Sequence, residues 1–203
     1  MPGRRIFCPS FDLTASPVLD AILTSLGLVF LAEMGDKTQI LALMLAARFQ
    51  RPWPIIGGMV AAVLLNHVLA VGVGFIVADR VPADWLRWGV ALSFILMAGW
   101  LLVPDAAQLS DRWGRQGNAF TASIVAFFIA EMGDKTQVAT IALAARFHSI
   151  SLVLIGSTVG MVLADAPVIW FGEKITQKIP SRLLRRVSAA LFAVFGIAVF
   201  AGW

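Results

Sequence analysis

The sequence predicts an all-α integral membrane protein with six transmembrane helices, arranged as two inverted three-helix repeats whose first and fourth helices are bent or broken. Three observations carry this reading. The chain is 59% hydrophobic and 14% charged, with a mean hydropathy of +0.85, whereas soluble domains carry about 25% charged residues. The apolar residues fall into six runs, and a bilayer core takes about 20 helical residues to cross. The heptapeptide Glu33-Met34-Gly35-Asp36-Lys37-Thr38-Gln39 recurs as Glu131-Met132-Gly133-Asp134-Lys135-Thr136-Gln137, inside stretches 30–49 and 128–147 that share 14 of 20 residues at a constant offset of 98.

Residues 1–17, with Arg4, Arg5, Pro2, Pro9 and Pro17, form a short leader. The apolar stretch behind it runs well past the length of a signal-peptide core, so cleavage is not expected. Segment one, Val18 to Phe49, would be about 48 Å long as a single helix. That exceeds a hydrocarbon core of about 30 Å, and Gly35 beside the polar residues is the expected point of interruption.

Arg51-Pro52-Trp53-Pro54 punctuates a turn before segment two, Ile55 to Ala78, which contains Asn66 and His67. Segment three, Trp85 to Val103, carries Trp85, Trp88 and Trp100 as interfacial anchors. Repeat one is therefore 18–103, and the polar stretch 104–118 is a linker. Repeat two, 119–203, holds segment four from Ala119 to Phe147, segment five from Ile150 to Gly172 with Asp165 inside, and segment six from Leu184 to Trp203. The basic loop Glu173 to Arg186 precedes segment six.

Three spans per repeat is an odd number, so the second copy enters from the opposite side and the repeats are inverted. With the two motif lysines set aside, the loops after segments one, three and five hold nine Lys and Arg residues against five on the other side. The positive-inside rule then places both termini outside the cytoplasm. The net charge of +4 sits in loops, where it serves topology and contact with membrane lipid. No basic, aromatic-laced face suggests nucleic acid as a partner. Cys8 is the single cysteine and excludes an intramolecular disulfide.

Ionisable groups inside apolar segments mark ion or substrate pathways. On a continuous helix Glu33 and Asp36 project from one face, as do Glu131 and Asp134. Two inverted copies bring the four carboxylates together near the midplane. Such oxygen-rich sites suit hard or borderline divalent cations such as Ca²⁺ and Mn²⁺, and the absence of nearby cysteine argues against a soft metal. Thr38, Gln39, Thr136 and Gln137 add neutral oxygens. Four carboxylates against Lys37 and Lys135 leave a charge of minus two, which one divalent cation or two protons would balance. Lys37, four residues after Glu33, is placed to pair with it and to act as an internal counter-charge. Competition of metal and protons for one site is the physical basis of an antiporter.

The alternative is that these residues are ion pairs locking helix contacts. Each charge at mid-membrane costs about 2.5–3.5 kcal/mol on insertion scales, which makes a purely structural role for six of them expensive. Asp165 aligns with His67 in the repeat and is either a proton relay, a further ligand, or a solvated or capping acid. His67 reads as a hydrogen-bonded packing residue, Arg48 and Arg146 as headgroup anchors, and Met34 and Met132 as apolar filler. Gly57, Gly58, Gly72, Gly74, Gly156 and Gly160 read as sites of close helix packing.

At the doubled motif the chain resembles the Gdt-type, or MneA-type, cation exchangers, whose hallmark is two copies of Glu-x-Gly-Asp-Lys-(Thr/Ser), one in each three-helix half. The resemblance covers nearly the whole chain from Leu19 onward. It implies export of Mn²⁺, in some members Ca²⁺, against protons, with Glu33, Asp36, Glu131 and Asp134 as the cation site and no permanently bound cofactor. It further implies a bacterial inner-membrane protein. Manganese comes from the resemblance; the spacing itself indicates only a site for a divalent cation or protons. A proton-coupled exporter of a small organic cation would need a roomier, aromatic-lined pocket. An intramembrane enzyme would need unequal environments for its acid and its base, which a symmetric duplication does not supply. The oligomeric state is left open.

Overall fold

The computed structural model describes residues 17–103, 118–172 and 181–202. The expected leader and linker lie outside the described residues except for their last members: Pro17 begins the first helix, and Asn118 caps a later one by accepting from the Thr121 amide at 3.0 Å. The elements are α1 (Pro17–Glu33), α2 (Lys37–Phe49), α3 (Pro52–Arg80), α4 (Ala83–Leu102), α5 (Ala119–Glu131), α6 (Lys135–Phe147), α7 (Ile150–Phe171) and α8 (Ser181–Phe200). Among the described residues the fold is entirely helical.

The expected interruption of segment one is present: α1 and α2 meet at 71° across a three-residue break. Segment four divides at the equivalent place into α5 and α6, thirteen residues each. At 1.5 Å per residue either piece is about 20 Å long, too short to cross a bilayer core alone. Four helices, α3, α4, α7 and α8, are long and apolar enough to span a membrane, and the bent α1–α2 pair makes a fifth.

The molecule is apolar at its surface and encloses a set of polar groups within an apolar core. Leu65, Leu69, Ile76, Leu96, Val194 and Ile197 are exposed, while Ser25, Glu33, Thr38, Asn66, His67, Thr136 and Asp165 are buried. In water such a surface would drive aggregation; in lipid it is the surface the solvent requires. The chain is a multi-pass membrane protein.

Packing runs between the two copies. α1 lies along α7, α5 along α3, and α6 against α3 and α4, while α4 pairs with α8. The α4–α8 contact is aromatic, with Phe94 beside Phe195 at 4.7 Å and Trp88 edge-on to Phe200 at 4.4 Å. The α1–α7 and α3–α5 contacts are made by glycine. A Cβ on Gly156 would sit 2.6 Å from the Ile22 carbonyl oxygen, and one on Gly58 would overlap the Phe120 carbonyl and approach Ser123 Cβ at 2.7 Å. Ile22 and Phe120, Ser25 and Ser123, and Gly58 and Gly156 are each related by the same offset of 98, so one contact is built twice. Gly74 and Gly160 also allow close backbone approach, as expected. Gly72 does not, since nothing lies within 4 Å of its missing Cβ.

Gly156→Ala should therefore destabilise the fold by about 1–3 kcal/mol through overpacking against backbone. Gly27→Ala, where nothing lies within 4 Å, should be neutral or raise stability by up to about 1 kcal/mol through helix propensity. Thermal unfolding of the purified variants in one detergent measures both.

Candidate cation site

Each motif is a helix end, a turn and a helix start. α1 closes at Glu33, Gly35 takes φ +82°, and α2 begins at Lys37 with Asp36 as its cap; α5 closes at Glu131, Gly133 takes φ +76°, and Asp134 precedes α6. Only glycine holds such a left-handed turn without strain, which is why a glycine stands at the centre of both copies. The turn amide is held by the last motif residue: Gln39 Oε1 accepts from the Gly35 amide at 3.1 Å, and Gln137 Oε1 from Gly133 at 2.7 Å. Gln39 also donates to the Ala164 carbonyl on α7 at 3.2 Å.

Breaking the helices changes what the spacing means. Glu33 and Asp36 lie on two different helices and do not share a helical face; the same holds for Glu131 and Asp134. Lys37 does not pair with Glu33. Its ammonium donates to Asp134 of the other copy at 2.6 Å, and Lys135 reciprocates with Asp36 at 3.1 Å. The i,i+4 pairing requires one continuous helix, and the break at Gly35 turns Lys37 across to the opposite motif. A lysine at the positive start of a helix is disfavoured by the helix dipole, and the aspartate facing it offsets this.

The glutamates are held within their own copies, Glu33 by the Thr38 hydroxyl and Glu131 by the Thr136 hydroxyl, the latter at 3.0 Å. Glu33, Glu131 and Asp134 are buried and each offers an oxygen within 4.8 Å of the others. Each also keeps one oxygen with no hydrogen-bond donor among the described residues. A cation with oxygen ligands at about 2.3–2.6 Å separates opposing oxygens by about 4.6–5.2 Å, so the trio has the span of a bare ion. Asp36 stands outside this trio, turned to Lys135.

Asp165 is fully buried in the interior of α7, and neither of its oxygens has a hydrogen-bond donor among the described residues. It is therefore neither solvated nor a cap. It stands within electrostatic reach of Glu33 and Glu131. His67 is buried and shares a 3.2 Å hydrogen bond with Thr158 of α7, the packing role expected of it. Asn66 donates to the Phe128 carbonyl on α5 at 3.1 Å, an inter-repeat tie that no motif signals; its polarity inside an apolar run was the available clue. Arg48 and Arg146 stack on the adjacent Phe49 and Phe147 at 5.3 and 5.7 Å. Met132 is exposed and fills no core space.

The two ion pairs differ in exposure, which gives a stability test. Removing one partner of a buried pair strands the other charge and costs about 3–5 kcal/mol. Lys135→Met should approach that loss because its side chain is 3% exposed, and Lys37→Met, 24% exposed, should lose less. Adding Asp36→Asn to Lys135→Met should recover part of the loss, as read by thermal unfolding.

The chain matches the profile of the family described as divalent cation/proton antiporter GDT1 over residues 21–109 and 119–202. It is 44% identical to a Vibrio cholerae protein named "Putative manganese exporter", over 89% of this chain and 90% of that one. A GDT1-like protein of Synechocystis sp. is 26% identical over 89% of this chain and 96% of its own, and GDT1-like protein 3 of Arabidopsis thaliana is 24% identical over 93% and 73%. No solved structure matches the chain. Its two motif-bearing halves, matched end to end in this way, place the chain in the GDT1 family of divalent cation/proton antiporters.

Proposed function

We propose that this chain is a six-span exporter of Mn²⁺, with Ca²⁺ as a second possible cargo, that exchanges the metal for protons at one shared site. The observation that carries the site assignment is the buried trio of Glu33, Glu131 and Asp134, with oxygens within 4.8 Å of one another, beside the crossed pairs Lys37–Asp134 and Lys135–Asp36. The relative named a manganese exporter supports the choice of cargo. In this reading α1–α2 and α5–α6 are each one broken span, and 18–103 and 119–203 are the inverted repeats. The loops after spans one, three and five face the cytoplasm of a bacterial cell, and both termini face out.

Charge neutrality in an apolar interior drives the cycle. With metal bound, Glu33, Glu131 and Asp134 act as ligands, and Asp36 joins them as Lys135 releases it. When the metal leaves, Lys37 and Lys135 return to Asp134 and Asp36. The remaining negative charge is then neutralised by protons, because an unpaired carboxylate is expensive to keep ionised in a dry site. Thr38 and Thr136 hold Glu33 and Glu131 in both conditions, Gln39 and Gln137 hold the turns, and Asp165 supplies a further nearby carboxylate. The halves rock about this site so that it faces one side at a time.

Proteoliposomes holding purified protein and a trapped pH indicator test this directly. External Mn²⁺ should enter and drive protons out, and Glu33→Gln, Asp36→Asn, Glu131→Gln and Asp134→Asn should each reduce exchange to background while the protein still elutes as a folded species. Wild-type flux in any one variant removes that carboxylate from the site; no metal movement in the parent protein overturns the antiport reading.

A further inference from the structure

The two copies agree closely over 30–49 and 128–147 and at the motif, yet one pair of contacts that these stretches make is unequal. Where α3 meets α6, a Cβ on Gly74 would overlap the Ile141 carbonyl and lie 2.8 Å from Ala144 Cβ, so the helices touch through their backbones. The offset of 98 relates this to α7 meeting α2, with Gly172 for Gly74, Leu43 for Ile141 and Ala46 for Ala144. There the nearest atom to a Gly172 Cβ is Leu43 Cδ1 at 3.9 Å. The space between is a cavity of about 490 Å³ lined by Leu43, Ala46, Ala47, Gln50, Phe171 and Gly172 among others.

Burial along the two helices repeats the contrast. Ala142, Ala144 and Ala145 on α6 are all buried, while their counterparts Met44 and Ala47 on α2 are exposed and Ala46 is half-buried. At the site end of the same helices, the Lys37 side chain is 24% exposed and that of Lys135 3%. Leu43 lies six residues beyond Lys37 on α2, about 9 Å along the axis, so the cavity and the site share a helix wall.

We infer that the cavity between α2 and α7 is the mouth by which the divalent cation reaches the site, and that the Gly74 contact with Ile141 and Ala144 is the gate closed on the opposite side. This rests on the antiport reading above. The cavity lies at the C-terminal ends of α2 and α7 and is lined by Arg51 of the turn after α2, a turn that the charge count assigns to the cytoplasm. The structure is thus the loading state of an exporter. The other state forms when α2 closes on Gly172 and α6 withdraws from Gly74, exchanging the two contacts. Gly172 has φ +62°, which alone favours glycine, and its equivalence to Gly74 adds a second reason: a side chain there would hold the mouth open.

Cysteines at the equivalent positions 46 and 144, in a Cys8→Ser background, test the inference with a membrane-impermeant thiol reagent on sealed vesicles of known orientation. In metal-free protein Ala46→Cys, which lines the cavity, should label from the cytoplasmic side, and Ala144→Cys, buried against Gly74, should resist labelling from either side. Gly74→Leu should keep the gate apart, so that Ala144→Cys becomes reactive, exchange is lost and Mn²⁺ binding to the purified protein persists. Gly72→Leu, on the same helix with nothing within 4 Å, should exchange like the parent. Equal labelling at 46 and 144, labelling of 46 only from outside, or parental exchange by Gly74→Leu would each overturn the inference. If Gly74→Leu does not fold, the comparison of 46 with 144 decides alone. Absence of metal–proton exchange in the parent would instead strike the antiport reading and leave the labelling contrast standing.

Discussion

Everything in this fold is arranged to keep two crossed ion pairs out of lipid. Lys37 reaches Asp134 and Lys135 reaches Asp36, so neither motif is electrically complete without the other. An unpaired charge in this setting costs several kcal/mol, and that penalty binds the two copies together more specifically than apolar contact can, since lipid is as apolar as leucine. The glycine contacts of α1 with α7 and α3 with α5 then follow as a geometric requirement. They let the backbones approach until side chains of opposite motifs can touch.

In the proposed exchange the same pairs let the cluster release the ion it binds. A site of permanently unpaired carboxylates would hold a divalent cation too tightly to export it. Here each aspartate has a lysine within reach to return to, and each glutamate a threonine hydroxyl that holds it without adding charge. In the proposed cycle protons complete the neutralisation of the empty site. The metal-free form is thus a defined, low-charge arrangement, which a carrier needs in order to move back across the membrane.

The class of the protein and the position of the breaks were legible in the sequence, because composition and excess helix length are local properties; exact repetition singled out four carboxylates, of which three stand together. The pairing was not. Reading Glu33 and Lys37 as i,i+4 partners assumes the very helix that Gly35 interrupts, so the broken turn and the expected pair were incompatible expectations. Asp36 illustrates the same limit: the spacing gives it the same standing as Asp134, and only the packed structure turns it to Lys135 and leaves Asp134 with the glutamates. The unequal spacing at α7–α2 and α3–α6 is not signalled by the glycines that face it, since Gly74 and Gly172 are identical in the repeat and only the packed structure separates them.

The central claim is that metal and protons occupy one set of carboxylates in turn. The most direct test is proton release on metal binding, followed by titrating Mn²⁺ into purified protein in weakly buffered detergent solution with a pH indicator. The account predicts about two protons released for each ion bound, as charge neutrality in the site requires, and none from Glu33→Gln combined with Glu131→Gln. Saturable Mn²⁺ binding with no proton release would contradict it.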